Sequence, residues 1–194
     1  MYRAEVLIAP VVDMDNNSRF AAQLGEFSGI AALAGINTER GGRKNEAIAT
    51  LRSRMFSEQF IKDEKLLTVL FRDEWDEENQ RWDDADPEDN PTPGDAYELF
   101  DEQMRKIRED RKTGLVVLSI EWEDPDEAAR WANELVRRVN ALLRKKAVSE
   151  SESAINYIQE QLKQTSVVEL QQVLHRLIET EMKEIILARI NEEF

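Results

Sequence analysis

Two short segments have hydrophobic patterns typical of β-strands, one at the start of the chain and one near its middle. In "YRAEVLIAPV" the inward candidates Val6 and Ile8 alternate with other residues until Pro10. Gly114 opens the run "LVVLSIEW", whose β-branched residues are typical of a buried strand. We therefore expect these two strands to pair with each other.

The residues between the two strands combine helical spacing with turn signals. Residues 20–36, "FAAQLGEFSGIAALAGI", are mostly small and apolar, and their glycines predict short helices or close-packed turns, since glycine costs a helix about 1 kcal/mol relative to alanine. Residues 41–67 predict two helices broken near Ser57, a plausible N-cap, and residues 95–110 predict a further helix. The apolar positions behind these predictions are Ile48, Leu51, Met55, Phe56, Phe60 and Ile61, followed by Leu99, Phe100, Met104 and Ile107.

The last third of the chain predicts two long helices, because neither glycine nor proline occurs after Pro125. Asp124 is suited to cap the first helix, and Pro125 is suited to its first position. A helix from about Asp126 to Gln164 would be about 58 Å long at 1.5 Å per residue. Ser166, with Glu169 three residues later, predicts the start of the second helix.

Apolar stripes on these two helices predict an antiparallel hairpin, because helices joined by a short connection pack as antiparallel neighbours. A groove for a partner protein is the alternative for the second stripe, which follows Ser166. The first stripe contains Trp131, Leu135, Val139 and Leu142 and resumes at Ile155, Ile158 and Leu162. The second contains Leu170, Val173, Leu174, Leu177, Ile178, Met182, Ile185, Ile186 and Ile190. The polar stretch at residues 145–153 is either solvated or a place where copies of the protein stand side by side.

Together these patterns predict an α+β fold with two domains. Residues 1–124 are expected to form a small mixed α/β base, which contains an acidic loop at residues 73–94. Residues 125–194 are expected to form a long antiparallel helical hairpin, an arm that returns to the base.

The composition narrows the classes of function. The net charge is −14, and residues 73–102 alone contribute −13, from fourteen Asp and Glu against one Arg. This balance argues against a nucleic-acid partner, whose phosphates need a basic surface. The chain has no cysteine, which excludes disulfides, cysteine-ligated zinc and thiol nucleophiles. No run of about 20 apolar residues predicts a membrane span, and both ends look cut, so we expect a soluble piece of a longer chain.

No residue stands out as catalytic, cofactor-binding or metal-ligating, and we predict that the protein is not an enzyme. The single histidine, His175, is expected to have a structural or surface role, because acid–base catalysis needs a partner within hydrogen-bond reach. The acidic segment lacks the EF-hand spacing for calcium, and it offers no means of choosing a glycosidase-like carboxylate pair. We expect a solvated loop there, with metal binding, catalysis and a partner contact as alternatives.

Four tryptophans are candidates either for the core or for stacking on sugars. Trp122 and Trp131 lie within periodic elements, so we expect them in the core. Trp75 and Trp82 flank the acidic loop and are expected to pin it to the base, with a sugar contact as the alternative. Neither the GxGxxG pattern nor a phosphate-binding GxxxxGK[ST] loop occurs, so no nucleotide cofactor is predicted.

Five segments, in order, resemble the Wzz-type chain-length determinants, the polysaccharide co-polymerases. They are "YRAEVLIAPV", "FSGIAALAGI", "AIATLRSRMFSEQFI", "GLVVLSIEWEDPDEAARWANELVRRVN" and "AINYIQEQLKQTSVVELQQVLHRLIETEMKEIILARINEEF". The stretches Asp124 to Asn140 and Leu162 to Lys183 are the most specific. The segment "DEWDEENQRWDDADPEDNP" departs from the enterobacterial pattern, and the arm is short for that branch.

The resemblance implies a non-catalytic function in the bacterial periplasm. Members of this family have a periplasmic α/β base and a helical arm between two inner-membrane helices, which would lie outside this chain. They assemble into a ring-like homo-oligomer and set the modal length of O-antigen or related polysaccharide made by a Wzy-type polymerase. The polymerase is therefore an expected partner, and the polysaccharide itself is a further one.

Four other functions remain alternatives. One is a periplasmic helical-hairpin adaptor of an export assembly, although we find neither its longer heptad pair nor its flanking strands. Another is the periplasmic domain of a capsule-export co-polymerase, whose kinase would lie outside this chain. The others are an enzyme that uses Asp83, Asp84 and Asp86, and a passive calcium-binding module.

Overall fold

The computed structural model describes residues 1–8, 42–83, 86–110 and 113–190, and 68% of these residues are helical. This helical share, together with a small antiparallel sheet, confirms the α+β prediction. The predicted short helices or turns of residues 20–36 lie outside the described residues. In chain order the elements are β1 (Tyr2–Ile8), α1 (Gly42–Arg52), α2 (Arg54–Asp63), α3 (Leu66–Leu70), β2 (Trp75–Asp76), β3 (Arg81–Trp82), α4 (Pro93–Leu99), β4 (Arg105–Glu109), β5 (Val116–Trp122), α5 (Pro125–Gln164) and α6 (Val168–Ile190).

The main sheet has three antiparallel strands in the order β1-β5-β4. β1 pairs with β5 along its whole length, from Tyr2 opposite Trp122 to Ile8 opposite Val116, so the expected pairing of the two strands is confirmed. Directly opposite residues lie on the same face of a sheet. Val6 and its partner Leu118 therefore lie on one face, where Val6 is half-buried and Leu118 is fully buried.

The break between the first two helices lies at Ser53 rather than near Ser57. Ser57 is fully buried inside α2, and its hydroxyl donates to the Ser53 carbonyl at 3.0 Å. The same hydroxyl accepts a hydrogen bond from Arg105. The predicted capping role for Ser57 is therefore wrong, because the side chain is used by a partner 48 residues away.

The helix predicted over residues 95–110 ends early. α4 continues through a π-helical turn at Phe100–Met104, and the chain then enters β4. Ile107, predicted to lie on a helix, lies opposite Leu118 in the sheet. Pairing with a buried central strand overrides the local helical spacing here.

The long helix α5 extends over 40 residues, from Pro125 to Gln164, as predicted. The Asp124 carboxylate caps it by accepting from the backbone N–H groups of Asp126 at 2.8 Å and Glu127 at 3.2 Å. The prediction is wrong for one residue of its apolar stripe. Leu142 is 48% exposed, whereas its neighbour Leu143 is 4% exposed. Trp131, Leu135, Val139 and Leu143 follow one another at intervals of four, so the buried stripe continues through Leu143.

Helices α5 and α6 form the predicted antiparallel hairpin, joined by residues 165–167. A buried cluster near the turn contains Ile158, Leu174 and Leu177, and the partly buried residues around it are Leu162, Leu170, Val173 and Ile178. Further from the turn, Arg189 contacts Glu152 at 3.4 Å. α6 begins at Val168, so the residue before it is Val167 rather than the predicted cap Ser166, a difference within the usual uncertainty of helix ends.

The described residues divide into two compact units by their contacts. One contains the described parts of residues 1–9 and 46–136, and the other those of residues 10–45 and 137–194. The predicted domain boundary after residue 124 and the predicted return of the arm to the base stay predictions. Among the residues described, none of the helices is both long and apolar enough to cross a membrane.

Candidate functional site

Part of the acidic segment is a β-hairpin rather than the open loop that we expected. β2 and β3 pair so that Trp75 lies opposite Trp82 and Asp76 lies opposite Arg81. The two indole rings meet edge to face, with centroids 4.9 Å apart at 68°. Such pairs stabilise a hairpin beyond the area they bury. Their predicted role in pinning the segment to the base stays a prediction.

The turn of this hairpin is held by the Asp76 carboxylate. Its two oxygens accept from the backbone N–H of Asn79 at 3.0 Å and from the Asn79 side-chain amide at 2.6 Å. These hydrogen bonds, the side-chain one first, lower the pKa of Asp76 below its usual value. Gln80 has the left-handed φ of 53° that closes the turn. The Asp76 carboxylate is therefore engaged in holding the turn.

The segment ends in a second structured carboxylate, at the start of α4. The hydroxyl and the backbone N–H of Thr92 donate to the Asp95 carboxylate at 2.7 and 2.8 Å, and the Asp95 N–H donates to the Thr92 hydroxyl at 3.3 Å. This reciprocal pair is a capping box, with Pro93 in the first turn. The hydrogen bonds from Thr92, the side-chain one first, lower the pKa of Asp95.

The residues that the sequence offered as candidates for metal binding or catalysis do not form a common site in the described part of the chain. Within the described ranges, no group of three or more histidine or acidic side chains is arranged to hold a metal ion. Asp83 and Asp86 are exposed, and Asp84 lies outside the described residues. His175 is exposed on α6, which agrees with the surface role that we expected.

Trp122 and Trp131 pack together where β5 leads into α5, as predicted. Their ring centroids are 5.4 Å apart, and their relative exposures are 9% and 0%. The Trp122 indole N–H donates to the Glu127 carboxylate at 2.9 Å. Because one ring lies on the strand and the other on the helix, this pair fixes the direction in which α5 begins.

Arg105 is a buried cation that the sequence-based analysis did not single out. Its side chain is 1% exposed and donates to the Leu51 carbonyl, the Ser57 hydroxyl and the Asp101 carboxylate. Its guanidinium carbon also lies 5.4 Å from the centroid of the Phe100 ring. The side chain thus joins the end of α1, the middle of α2 and the π-helical turn to the first residue of β4. Asp101 is only four residues away, but Leu51 and Ser57 lie 54 and 48 residues away in sequence, too far for a local signal to predict this role.

The face of the sheet opposite Leu118 is polar. Glu121 lies on this face near the end of the central strand β5, with Lys106 Nζ 2.8 Å and Arg3 Nε 3.5 Å from its carboxylate oxygens. The hydrogen bond from Lys106 is the main cause of the lowered pKa of Glu121, and the charges of Lys106, Arg3 and Arg108 add to it. This face carries charges of both signs that pair with one another.

The residues that carry the family resemblance occupy packing positions in this fold. In Asp124 to Asn140, the buried positions are Ala128, Trp131, Ala132, Leu135, Val139 and Asn140. In Leu162 to Lys183, Leu174 and Leu177 are buried at the turn-proximal end of the hairpin. The two most specific segments therefore form the strand-to-helix junction and the turn of the hairpin.

Comparison with protein-family models, with curated proteins and with solved structures finds no match for this chain.

Proposed function

We propose that this chain is the periplasmic part of an inner-membrane protein that regulates the length of a surface polysaccharide, O-antigen or a related polymer. It acts as a non-catalytic scaffold that assembles with copies of itself and works with a Wzy-type polymerase. Membrane-spanning helices on either side of the segment anchor the parent protein.

The observation that carries this proposal is the position of the resembling residues. They build a strand that leads, through the Trp122–Trp131 pair, into a 40-residue helix, and they build the turn by which the next helix runs back. A long helix pair offers an extended lateral surface on which copies can align. In this function the assembled surface limits how long a growing polymer stays engaged with the polymerase.

Deletion of the parent gene tests the proposal in the bacterium that encodes it. We expect the polysaccharide to be made at a normal level but to lose its modal length, because the polymerase continues without its regulator. Gel electrophoresis of the polysaccharide reports the distribution. A normal distribution after deletion, or a complete loss of polymer, would contradict the proposal.

Complementation of the deletion strain tests whether control of the polysaccharide length depends on the α5–α6 hairpin. Asn156 is exposed in the second half of α5, and proline there costs a helix about 3 kcal/mol or more. We expect the full-length gene and its Asn156→Ala variant to restore the modal length, and the Asn156→Pro variant to fail at equal protein level. Circular dichroism of the 194-residue chain checks that only the proline variant loses helicity. Restoration by a proline variant that has lost helicity would separate the function from the hairpin.

A further inference from the structure

Strand β1 is an edge of the main sheet. It pairs with β5 along all of its seven residues, from Tyr2 opposite Trp122 to Ile8 opposite Val116, without a bulge. In an antiparallel sheet, every second residue of an edge strand directs its backbone N–H and C=O groups away from the sheet. Among the residues that the structure describes, no strand pairs with this outer edge. The edge therefore offers a row of backbone donors and acceptors to a further strand.

β1 lacks the features that protect an edge strand from pairing. Proteins shield such strands with proline, with bulges or with charges of one sign, lysine above all. β1 contains no proline, and its side chains Tyr2 and Leu7 are 58% and 65% exposed. Its two charged residues, Arg3 and Glu5, have opposite signs, so the strand carries no net charge that would repel a second copy of itself.

The sequence of β1 is complementary to itself in one antiparallel register. When Ala4 lies opposite Ala4 of a second copy, Arg3 lies opposite Glu5 of that copy, and Glu5 lies opposite its Arg3. The same register places Tyr2 opposite Val6 on the apolar face. Opposite charges directly across two strands stabilise their pairing, and like charges destabilise it. This register therefore gains two ion pairs and sets no like charges against each other.

Charge selects this register over its neighbours. The apolar faces of both sheets stay on the same side only when the register shifts in steps of two residues. A shift of one step in either direction sets Glu5 opposite Glu5 or Arg3 opposite Arg3. Each of these neighbouring registers therefore replaces the attraction with a like-charge contact across the symmetry axis.

Both charged side chains of β1 are accessible at the edge. Arg3 Nε lies 3.2 Å from the Glu5 carboxylate of the same chain and 3.5 Å from Glu121. The side chains of Arg3 and Glu5 are nevertheless 39% and 52% exposed. Across the symmetry axis the two copies would bring these charges together in alternating sign, as a network rather than as isolated surface pairs, which contribute little.

We propose that the outer edge of β1 pairs with the same edge of a second copy, antiparallel and centred on Ala4. The contact uses the same surface on both copies, so it closes as a dimer with two-fold symmetry. The three-stranded sheets of the two copies then form one continuous sheet. The inference does not rest on the proposed function, since it depends only on β1, and gene deletion tests that function separately.

Charge reversal on the 194-residue chain tests the pairing. Arg3→Glu and Glu5→Arg each set like charges against each other at both ion pairs of the dimer. We expect each variant alone to dimerise about tenfold or more weakly than the wild type, as measured by sedimentation velocity at micromolar concentrations. An equimolar mixture of the two variants should restore the dimer, because every charge in the mixed pair again faces its opposite.

The mixture separates loss of pairing from loss of folding, because mixing adds no contact within either chain. Arg108→Glu is the matched control: it makes the same change of charge at an exposed residue of β4, the opposite edge of the sheet, and should leave the dimer unchanged. Three results would overturn the proposal: a wild-type chain that stays monomeric, a dimer that survives both reversals, or a mixture that does not restore it.

A disulfide tests the register, since the chain has no cysteine of its own. Residues directly opposite in antiparallel strands have Cα atoms about 4.5–5.5 Å apart, which is within disulfide range, so Ala4→Cys should link two copies under mild oxidation. Leu7→Cys is the control: Leu7 is 65% exposed, but the two copies of residue 7 would lie about 20 Å apart. We expect linkage several-fold faster at position 4, and equal or faster linkage at position 7 would refute the register.

Discussion

At the scale of single residues, Arg105 shows how one buried side chain connects several elements. Its guanidinium satisfies the Leu51 carbonyl and the Ser57 hydroxyl in the interior, while its carboxylate partner Asp101 is 43% exposed on the side chain. Removal of the guanidinium would leave interior acceptors without a donor, and that loss outweighs the loss of a half-exposed ion pair.

We predict that Arg105→Met lowers the free energy of unfolding by about 1–3 kcal/mol. Arg105→Lys should also destabilise, because an ammonium group cannot reproduce the fork of donors. Chemical denaturation measures both changes. Arg108→Met on the same strand is the control, because Arg108 is exposed, and it should change stability little. Equal effects at the two positions would contradict the role assigned to Arg105.

A second prediction at this scale concerns acid stability. The pKa of Asp95 is lowered in the fold by hydrogen bonds from Thr92, so its stabilising effect is present above the unfolded pKa of about 3.9 and is lost as pH falls through the lower folded pKa. We expect Asp95→Asn to be less stable than the wild type at neutral pH and to converge with it at low pH. Unfolding curves between neutral and strongly acidic pH measure this difference.

The control for the acid prediction is Asp73→Asn, whose side chain is 97% exposed. This variant should follow the wild-type pH dependence. A constant difference between Asp95→Asn and the wild type at every pH would show that the Asp95 charge is not responsible.

At the scale of elements, patterns with strong local signals were predicted well. α5 has a cap at Asp124, a proline at its first position and a long apolar stripe, and its predicted limits agree with the structure to within one residue. The pairing of β1 with β5 was also predicted, from the alternating apolar residues of β1 and the β-branched run of β5. These elements needed little information from distant parts of the chain.

Elements that depend on distant partners were predicted poorly. Ile107 fits a helical stripe locally, but β4 pairs with β5 and draws the residue into the sheet. Ser57 has the chemistry of a cap, but Arg105 uses its hydroxyl inside α2. The Trp75–Trp82 hairpin did have a local signal, two tryptophans that bracket a polar turn, but the acidic composition favoured an open loop.

The buried stripe of α5 continues through Leu143 rather than the predicted Leu142, and substitutions at these two neighbouring residues test this. Leu143→Ala should lower the free energy of unfolding by about 2–5 kcal/mol, because it removes a buried side chain, whereas Leu142→Ala should cost much less. Both variants change the same residue type on the same helix, so differences in helix propensity cancel. Thermal or urea unfolding compares them. The reverse order would restore Leu142 as the buried position.

At the scale of the whole molecule, the negative charge is concentrated in one segment of the chain. Residues 73–102 carry −13 of the total −14. The structure shows that Asp76, Asp95 and Asp101 accept hydrogen bonds from nearby side chains, whereas the side chains of Glu78 and Glu88 are exposed. Repulsion among the exposed charges opposes folding at low ionic strength.

We therefore predict that raising the salt concentration from about 10 mM to about 150 mM increases the melting temperature, because the Debye length falls from about 30 Å to about 8 Å. The double variant Glu78→Gln/Glu88→Gln should show a smaller increase. Glu169→Gln/Glu179→Gln makes the same change of charge outside the segment and should keep the wild-type response. Calorimetry at both concentrations measures the difference. An equal salt response in the two double variants would refute the prediction.

The boundary between the two compact units lies within α5, and this limits where the chain can be cut into fragments. The boundary lies between Val136 and Arg137, inside the continuous helix α5, in which each backbone N–H donates to the carbonyl four residues earlier. A truncation at that position would leave unpaired backbone groups on both products and would remove a turn that each needs. Attempts to study either half in isolation should therefore keep the whole helix, from its aspartate cap to the hairpin turn, in one piece.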